Sequence, residues 1–307
     1  VLWISRQSYG MLTIGHVPFL WVLLFYFMTG LWIWKKNGQN RHIRISLAYV
    51  IMIILIWIPM ARRKSLAFLD VGQGDCFVAD TKSGAIIFDG GSSSEDQVGR
   101  YRILPYMKYL GYQKIQIAVI SHMDIDHYSG IKELLEMGKI KYLGLPEIPK
   151  DETMKKIIGI AKKRGTTIFY LSRGRQITTK DGSLKVLHPQ KNSQMEKNAA
   201  SLVMQGKILG YRVLLTGDVE KEGEEELLSE ELERADILKA AHHGSKNSTS
   251  NEFLQKVQPK QTVISCGKQN RYGHPHLETI HRLQTYRTKI YRTDRSGAII
   301  FFKRRDG

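Results

Sequence analysis

Ser121-His122-Met123-Asp124-Ile125-Asp126-His127 is the stretch on which the reading of this chain turns. Two imidazoles and two carboxylates fall between His122 and His127. They follow an apolar, branched run, Ile115 to Ile120, whose composition predicts a buried strand. Ser129-Gly130 comes next, and then Ile131, Leu134 and Leu135 at a spacing that predicts a helix over 130–136. Four titratable groups at the end of a buried strand need partners or ions. Imidazole with carboxylate is the usual ligand set of a catalytic divalent metal. If residues 123–128 fold back, His122, Asp124, Asp126 and His127 converge on one or two ions. Strand, ligand loop and helix is the α/β layout in which ligands sit at carboxyl ends of strands. The alternative is a solvated polar loop with two surface histidines.

Two further segments favour the metal reading. Arg212-Val213-Leu214-Leu215-Thr216-Gly217-Asp218 is a short apolar strand ending in a glycine turn and a carboxylate. Such an Asp can bridge two metals, although helix caps and turns use the same residue. Ile237-Leu238-Lys239-Ala240-Ala241-His242-His243-Gly244-Ser245 is a second strand that ends in histidines. The residues alone leave open which of His242 and His243 is a ligand.

With these segments in hand, the chain resembles the metallo-β-lactamase superfamily, whose motif is His-x-His-x-Asp-His. Here the motif reads His122-x-Asp124-x-Asp126-His127, with Asp in place of the second His. That form resembles the carboxyl-terminal domain of ComEC/Rec2-type DNA-uptake proteins. Phe68-Leu69-Asp70-Val71-Gly72-Gln73-Gly74-Asp75 looks like that branch's opening strand and turn, and Ile86-Ile87-Phe88-Asp89-Gly90-Gly91 like its second strand. Asn198 to Val203, Leu214 to Asp218, His242 to Ser245, Asn270 to His276 and Tyr291 to Asp294 follow in order. The resemblance covers about Leu66 to Phe302. It implies an αββα sandwich and two divalent ions, zinc or manganese. It implies His122, Asp124 and His243 as ligands, Asp126 and His127 on the second ion, and Asp218 bridging. His243 is chosen because the family's last ligand precedes a small residue and then Ser. One departure stands out. The superfamily carries another His before the bridging Asp, whereas this region reads Glu196-Lys197-Asn198-Ala199-Ala200-Ser201-Leu202. Asn198 or Ser201 is expected to meet substrate instead. His188, in Leu187-His188-Pro189, reads as a strand end and stays outside the site.

The chain opens on Val1 rather than Met and reads as a piece of something longer. Residues 1–64 contain no Asp or Glu. Residues 17–34 are almost wholly apolar, and 43–61 are apolar if Arg44 snorkels. These predict a transmembrane helical hairpin ahead of a hydrolase domain over 65–307. Trp21, Trp32, Trp34 and Trp57 near the span ends fit interfacial anchoring. The basic residues on the two sides tie at four against four, so charge gives no orientation. The resemblance implies a multi-pass protein of the cell membrane with its catalytic domain on the extracytoplasmic side.

The part from Ser65 holds 38 Lys and Arg against 29 acids, a net +9. A basic domain attracts polyanions, so nucleic acid or an anionic surface is a candidate partner. Lys155-Lys156 and Lys162-Lys163-Arg164 read as a solvated helix face. Arg100, Arg102, Lys239, Lys246, Lys268 and Arg271 flank the motif loops and read as candidate phosphate contacts. Cys76 and Cys266, the two cysteines, read as small buried residues. Glu220 to Glu233 reads as an amphipathic helix.

The function expected on these grounds is cleavage of phosphodiesters in incoming single-stranded DNA during uptake. The metals activate water. Asp126 orients it, and His274 donates to the phosphate or protonates the leaving oxygen. His242, Ser245, His276, Asn198 and Ser201 are the candidate substrate contacts. Membrane lipid and the rest of an uptake channel are the expected partners, and no small organic cofactor is expected. The alternatives are a hydrolase of an envelope phosphodiester or other small ester, and a non-catalytic DNA-binding module of the channel.

Overall fold

A computed structural model describes residues 13, 15–34, 43, 46–51, 63–195, 198–230 and 232–304. The chain divides into two compact units, 1–62 with 106–113 and 63–105 with 114–307.

In the smaller unit, α1 (Phe19–Trp34) follows Pro18, whose fixed φ suits the first turn of a helix. Phe19, Leu20, Phe27 and Trp34 are exposed on it. Its 16 residues reach about 24 Å, short of a hydrocarbon core of about 30 Å. Among the described residues no helix is long and apolar enough to cross a membrane. Of the expected span over 17–34, residues 19–34 are helical, and residues 35–42 lie outside the described residues. Most of the expected span over 43–61 lies outside the described residues.

The larger unit is built on two seven-stranded sheets. The first runs in the order β14 (Ile299–Phe302), β1 (Ser65–Phe68), β2 (Phe77–Thr81), β3 (Gly84–Phe88), β4 (Ile115–Val119), β5 (Ile140–Pro146), β6 (Thr167–Leu171). The second runs β13 (Lys289–Arg292), β12 (Gln261–Ile264), β11 (Ile237–Lys239), β10 (Tyr211–Leu215), β9 (Val203–Ile208), β8 (Gly182–His188), β7 (Gln176–Thr179). Each sheet is antiparallel on one side and parallel on the other. In the first, β3, β4, β5 and β6 are parallel; in the second, β10, β11, β12 and β13 are.

The two sheets pack face to face. Leu66, Phe68, Ile86 and Val119 of the first share one core with Val186, Met204, Val213, Leu215, Ile237 and Val263 of the second. Strand side chains alternate in direction. Leu214, Leu238 and Ile264 therefore point outward, where Leu227, Phe253, Leu254 and Leu283 of the outer helices cover them. Both strand faces are apolar because both are covered. This is the αββα sandwich expected from the sequence.

The helix α2 (Ile125–Glu136) starts five residues earlier than its apolar spacing predicts. Ile131, Leu134 and Leu135 are its buried face, as expected. The polar turn before them is also helical, with Asp124 at the N-cap and Asp126 in the first turn, where the helix dipole favours a carboxylate. The acidic helix α3 (Lys221–Leu228) is shorter than the Glu220–Glu233 reading; Ser229 caps it, with its hydroxyl on Glu226 O at 2.6 Å. Cys76 and Cys266 are buried free thiols.

Candidate metal centre

Parallel pairing brings the strand ends of each sheet together at a rim. Phe88 of β3 pairs with Val119 of β4, so Asp89 and Ser121 leave the first sheet together. Leu214 of β10 pairs with Leu238 of β11, so Asp218 and the two histidines leave the second sheet together. The two rims are tied by Leu202 N donating to Ser121 O at 3.0 Å, and within the second rim Asp218 N donates to Ser201 Oγ at 3.3 Å.

On the first rim, Asp89 accepts from Ser121 N at 2.7 Å and sits 3.0 Å from His127 Nδ1. This buried carboxylate fixes the His127 ring and turns Nε2 toward the second rim. Gly91 makes the approach possible: a Cβ there would lie 2.5 Å from His127 N.

On the second rim, His242 and His243 both adopt left-handed backbone, with φ 47° and 52°. Residues with a Cβ rarely do so. His243 Nδ1 donates to Ser265 O at 2.9 Å, which leaves Nε2 facing inward. His242 Nδ1 sits 2.7 Å from Glu220 Oε1.

The inward atoms converge. His127 Nε2 lies 3.2 Å from Asp218 Oδ1, and His243 Nε2 lies 3.3 Å from Asp218 Oδ2 and 3.4 Å from Asp126 Oδ2. Bonds of about 2.0–2.1 Å to a tetrahedral ion place neighbouring ligand atoms about 3.3 Å apart. The Nε2 atoms of His122, His127 and His243 are buried with no hydrogen bond. Buried nitrogens of this kind normally have partners. These residues therefore fit a divalent ion. His122 is buried beside them, its ring 4.1 Å from that of His127 and its Nε2 3.6 Å from Asp124 Oδ2. His243 thus stands with Asp126, His127 and Asp218, while His122 stands with Asp124.

Asp75, the end of the Gly-Gln-Gly-Asp turn, is a residue that sequence reasoning missed. One ligand atom each from Asp75, His127, Asp218 and His243 lie within 4.8 Å of one another. Asp75 nevertheless faces the Nδ1 sides, at 3.8 Å from His127 and 3.6 Å from His243. It backs the imidazoles rather than sharing their inward face. Lys239 corrects the expectation of a phosphate contact. It is buried, paired with Asp75, and 3.5 Å from Asp218 Oδ1 and 2.9 Å from Gly217 O.

Without a metal, these groups shift one another strongly. Burial pushes the Asp218 carboxyl up, but His127, His243 and Lys239 outweigh it and hold the group well below the usual range. Burial favours neutral imidazole at His127, yet Asp218 and Asp89 raise its pKa well above 6.5. Burial does the same at His243, where Asp218 and Asp75 prevail. A metal takes the place of those protons. His274 moves the other way. Burial and the charges of His243, His242 and His276 push it down to about 4, so the ring is neutral at pH 7.

A cavity of about 470 Å³ opens over the cluster, lined by Asp124, Asp126, Asn198, Asp218, His242, His243, Tyr272 and His274 among others. Asn270 holds the His274 backbone at both N and O, at 2.9 and 2.6 Å. Ser201, Ser245 and His276 do not line this cavity. Ser201 accepts from Asp218 N, Ser245 accepts from Asn247 N at 3.3 Å, and His276 Nδ1 accepts from Lys246 N at 3.2 Å. His188 is buried at the end of β8 with Nε2 donating to Ala199 O at 2.7 Å. It therefore supports the loop that carries Asn198.

The sequence model of the metallo-β-lactamase superfamily matches residues 69–268. The chain belongs to the metallo-β-lactamase superfamily. ComE operon protein 3 of Bacillus subtilis is 35% identical over 294 residues, covering 89% of this chain and 38% of that protein. Competence protein ComA of Neisseria gonorrhoeae is 30% identical, covering 78% and 32%. Recombination protein 2 of Haemophilus influenzae is 27% identical, covering 86% and 32%. The chain spans between 32% and 38% of the length of these three relatives, which are of the ComEC/Rec2 type. Among solved structures, the metallo-β-lactamase fold protein YhfI of Bacillus subtilis superposes with TM-score 0.53 at 13% identity, covering 77% of this chain and 99% of that one. That likeness is one of fold.

Proposed function

We propose that this chain is the nuclease part of a DNA-uptake protein, a two-metal phosphodiesterase that cleaves single-stranded DNA. The observation that carries it is the convergence of Asp126, His127, Asp218 and His243 at edges of 3.2–3.4 Å beneath an open cavity. The competence proteins among its relatives support the choice of DNA as substrate. So does the net charge of +9 from Ser65 onward. Zinc or manganese ions, when bound, lower the pKa of water and offset charge on the phosphoryl oxygens. In this reading His122 and Asp124 would hold one ion, Asp126, His127 and His243 would hold the other, and Asp218 would serve both.

The chain's own residues do the rest. Asp126 sits on both the ligand cluster and the cavity, where it orients the attacking water. His274, neutral at pH 7, donates an N–H to the phosphate. Asn198, which also lines the cavity, contacts substrate. Lys246, Lys268 and Arg271 are exposed and attract the backbone. Anchoring in the cell membrane, with the nuclease on the extracytoplasmic side, is part of the proposal. Its support is the acid-free stretch 1–64 and the exposed apolar surface of α1.

The test is hydrolysis of single-stranded DNA by the purified chain with manganese or zinc, with and without a chelator. Chelator-sensitive cleavage is expected. Cleavage of small chromogenic diesters alone favours an envelope ester as substrate. Salt-sensitive DNA binding without cleavage favours a binding module.

A further inference from the structure

The superfamily's third imidazole before the bridging Asp is missing here, since Asn198 occupies that region. The second rim holds an imidazole that the ligand set above does not use. His242, His243 and Gly244 are three consecutive left-handed residues, at φ 47°, 52° and 84°. Two of them carry a Cβ, so the surrounding fold must hold the turn. The result is that both histidine rings reach the same cavity, with centroids 6.1 Å apart.

The His242 ring is aimed. Its Nδ1 is fixed by Glu220 Oε1 at 2.7 Å, the carboxylate–imidazole pairing that sets the tautomer of metal-bound histidines. That pairing leaves the Nε2 lone pair free. Nε2 lies 3.8 Å from Asp218 Oδ2, the oxygen that also faces His243 Nε2 at 3.3 Å. Two ligands on one ion with bonds of about 2.0–2.2 Å lie no more than roughly 4.3 Å apart. The other side chains near the gap are poorer donors. Asn198 offers an amide, and Ser201 Oγ is taken by Asp218 N.

We propose that His242, aimed by Glu220, is a further ligand of the metal centre, sharing an ion with Asp218 and supplying the imidazole that position 198 lacks. The proposal rests on the metal-centre reading above and deepens it. Glu220 is then a positioning residue, acting through His242.

The test is metal content and affinity of the full chain, loaded with manganese or zinc, dialysed, and measured by elemental analysis and calorimetric titration. The wild-type chain is expected to hold two ions. His242→Ala is expected to hold one. Glu220→Gln is expected to hold two, one of them about 10–100-fold more weakly. Cobalt substitution gives a second reading, because losing an imidazole in the His242 variant changes the visible absorption. Should His242→Ala fail to fold by circular dichroism, His242→Gln keeps the side-chain bulk and serves in its place. A folded His242 variant that keeps two ions at wild-type affinity overturns the proposal. A wild-type chain that takes up no divalent ion overturns the metal-centre reading itself, whatever His242 does.

Discussion

The two rims of the sandwich deliver their histidines by different means. On the first, Asp126 and His127 ride on the opening turn of an ordinary helix, and a buried carboxylate at the end of the neighbouring strand aims the ring. On the second, His242 and His243 sit in left-handed backbone, and a carbonyl and a carboxylate aim the rings. The first rim needs only a strand, a cap and a helix, which local sequence specifies. The second needs a conformation that local sequence disfavours, so tertiary contacts must impose it. In both cases the Nδ1 partner decides which nitrogen faces the ion.

The largest expected effect tests the first rim. Asp126→Ala removes a group with its oxygen 3.4 Å from His243 Nε2, in a helix turn that does not depend on it. Metal-dependent cleavage of single-stranded DNA is expected to fall by at least ~10²-fold, with the far-ultraviolet circular dichroism unchanged. Wild-type activity in that variant would break the two-metal reading. Salt-sensitive DNA binding by the same variant is expected to survive, because phosphate contacts act independently of the metal.

Lys239→Met tests what joins the rims from behind. It leaves Asp75 and Asp218 buried without their cation. Breaking a buried pair by removing one partner costs about 3–5 kcal/mol. Chemical denaturation in chelator should show a loss of that order. Saturating metal should recover part of it, since metal binding stabilises the folded state. A wild-type unfolding midpoint in chelator would mean that Lys239 has no such role.

Truncating His188 isolates the loop of the second rim that carries Asn198. His188→Ala leaves the Ala199 carbonyl without its 2.7 Å donor. A loss of about 1–3 kcal/mol in stability is expected, with cleavage near the wild-type rate, because the ring lies outside the cavity. A large fall in rate at unchanged stability would show that the 198–201 loop takes part in the chemistry.

The smallest effect expected is on pH. His127 and His243, one on each rim, have folded pKa values raised above 6.5 in the metal-free chain. The folded state therefore binds more protons, and that share of stability is complete below pH 6.5 and is lost as pH rises through the folded values. In chelator, the melting temperature should fall as pH rises above neutral. With metal the trend should reverse over the same interval, because both imidazoles must lose their protons to bind. A melting temperature in chelator that rises with pH would contradict the convergence of carboxylates on these rings.

The sequence by itself determined the layered α/β architecture and the three ligand-bearing strand ends. Apolar runs of strand length, helical spacing after them, and His and Asp at the junctions are all local patterns. The chain, with the family resemblance its motifs carry, marked His122, Asp124, Asp126, His127, Asp218 and a histidine of the 242–243 pair as one ligand set. Only the tertiary structure decided how they are grouped. It set His243 with Asp126 and His127 rather than with His122, because Ser265 O holds its Nδ1 from the next strand. It drew Asp75 and Asp89 behind the imidazoles from turns far away in sequence, and it buried Lys239 between two carboxylates where its place beside a motif loop suggests a phosphate contact. Those choices depend on which side-chain atoms meet across parallel strands and between sheets. Spacing along the chain carries no record of them.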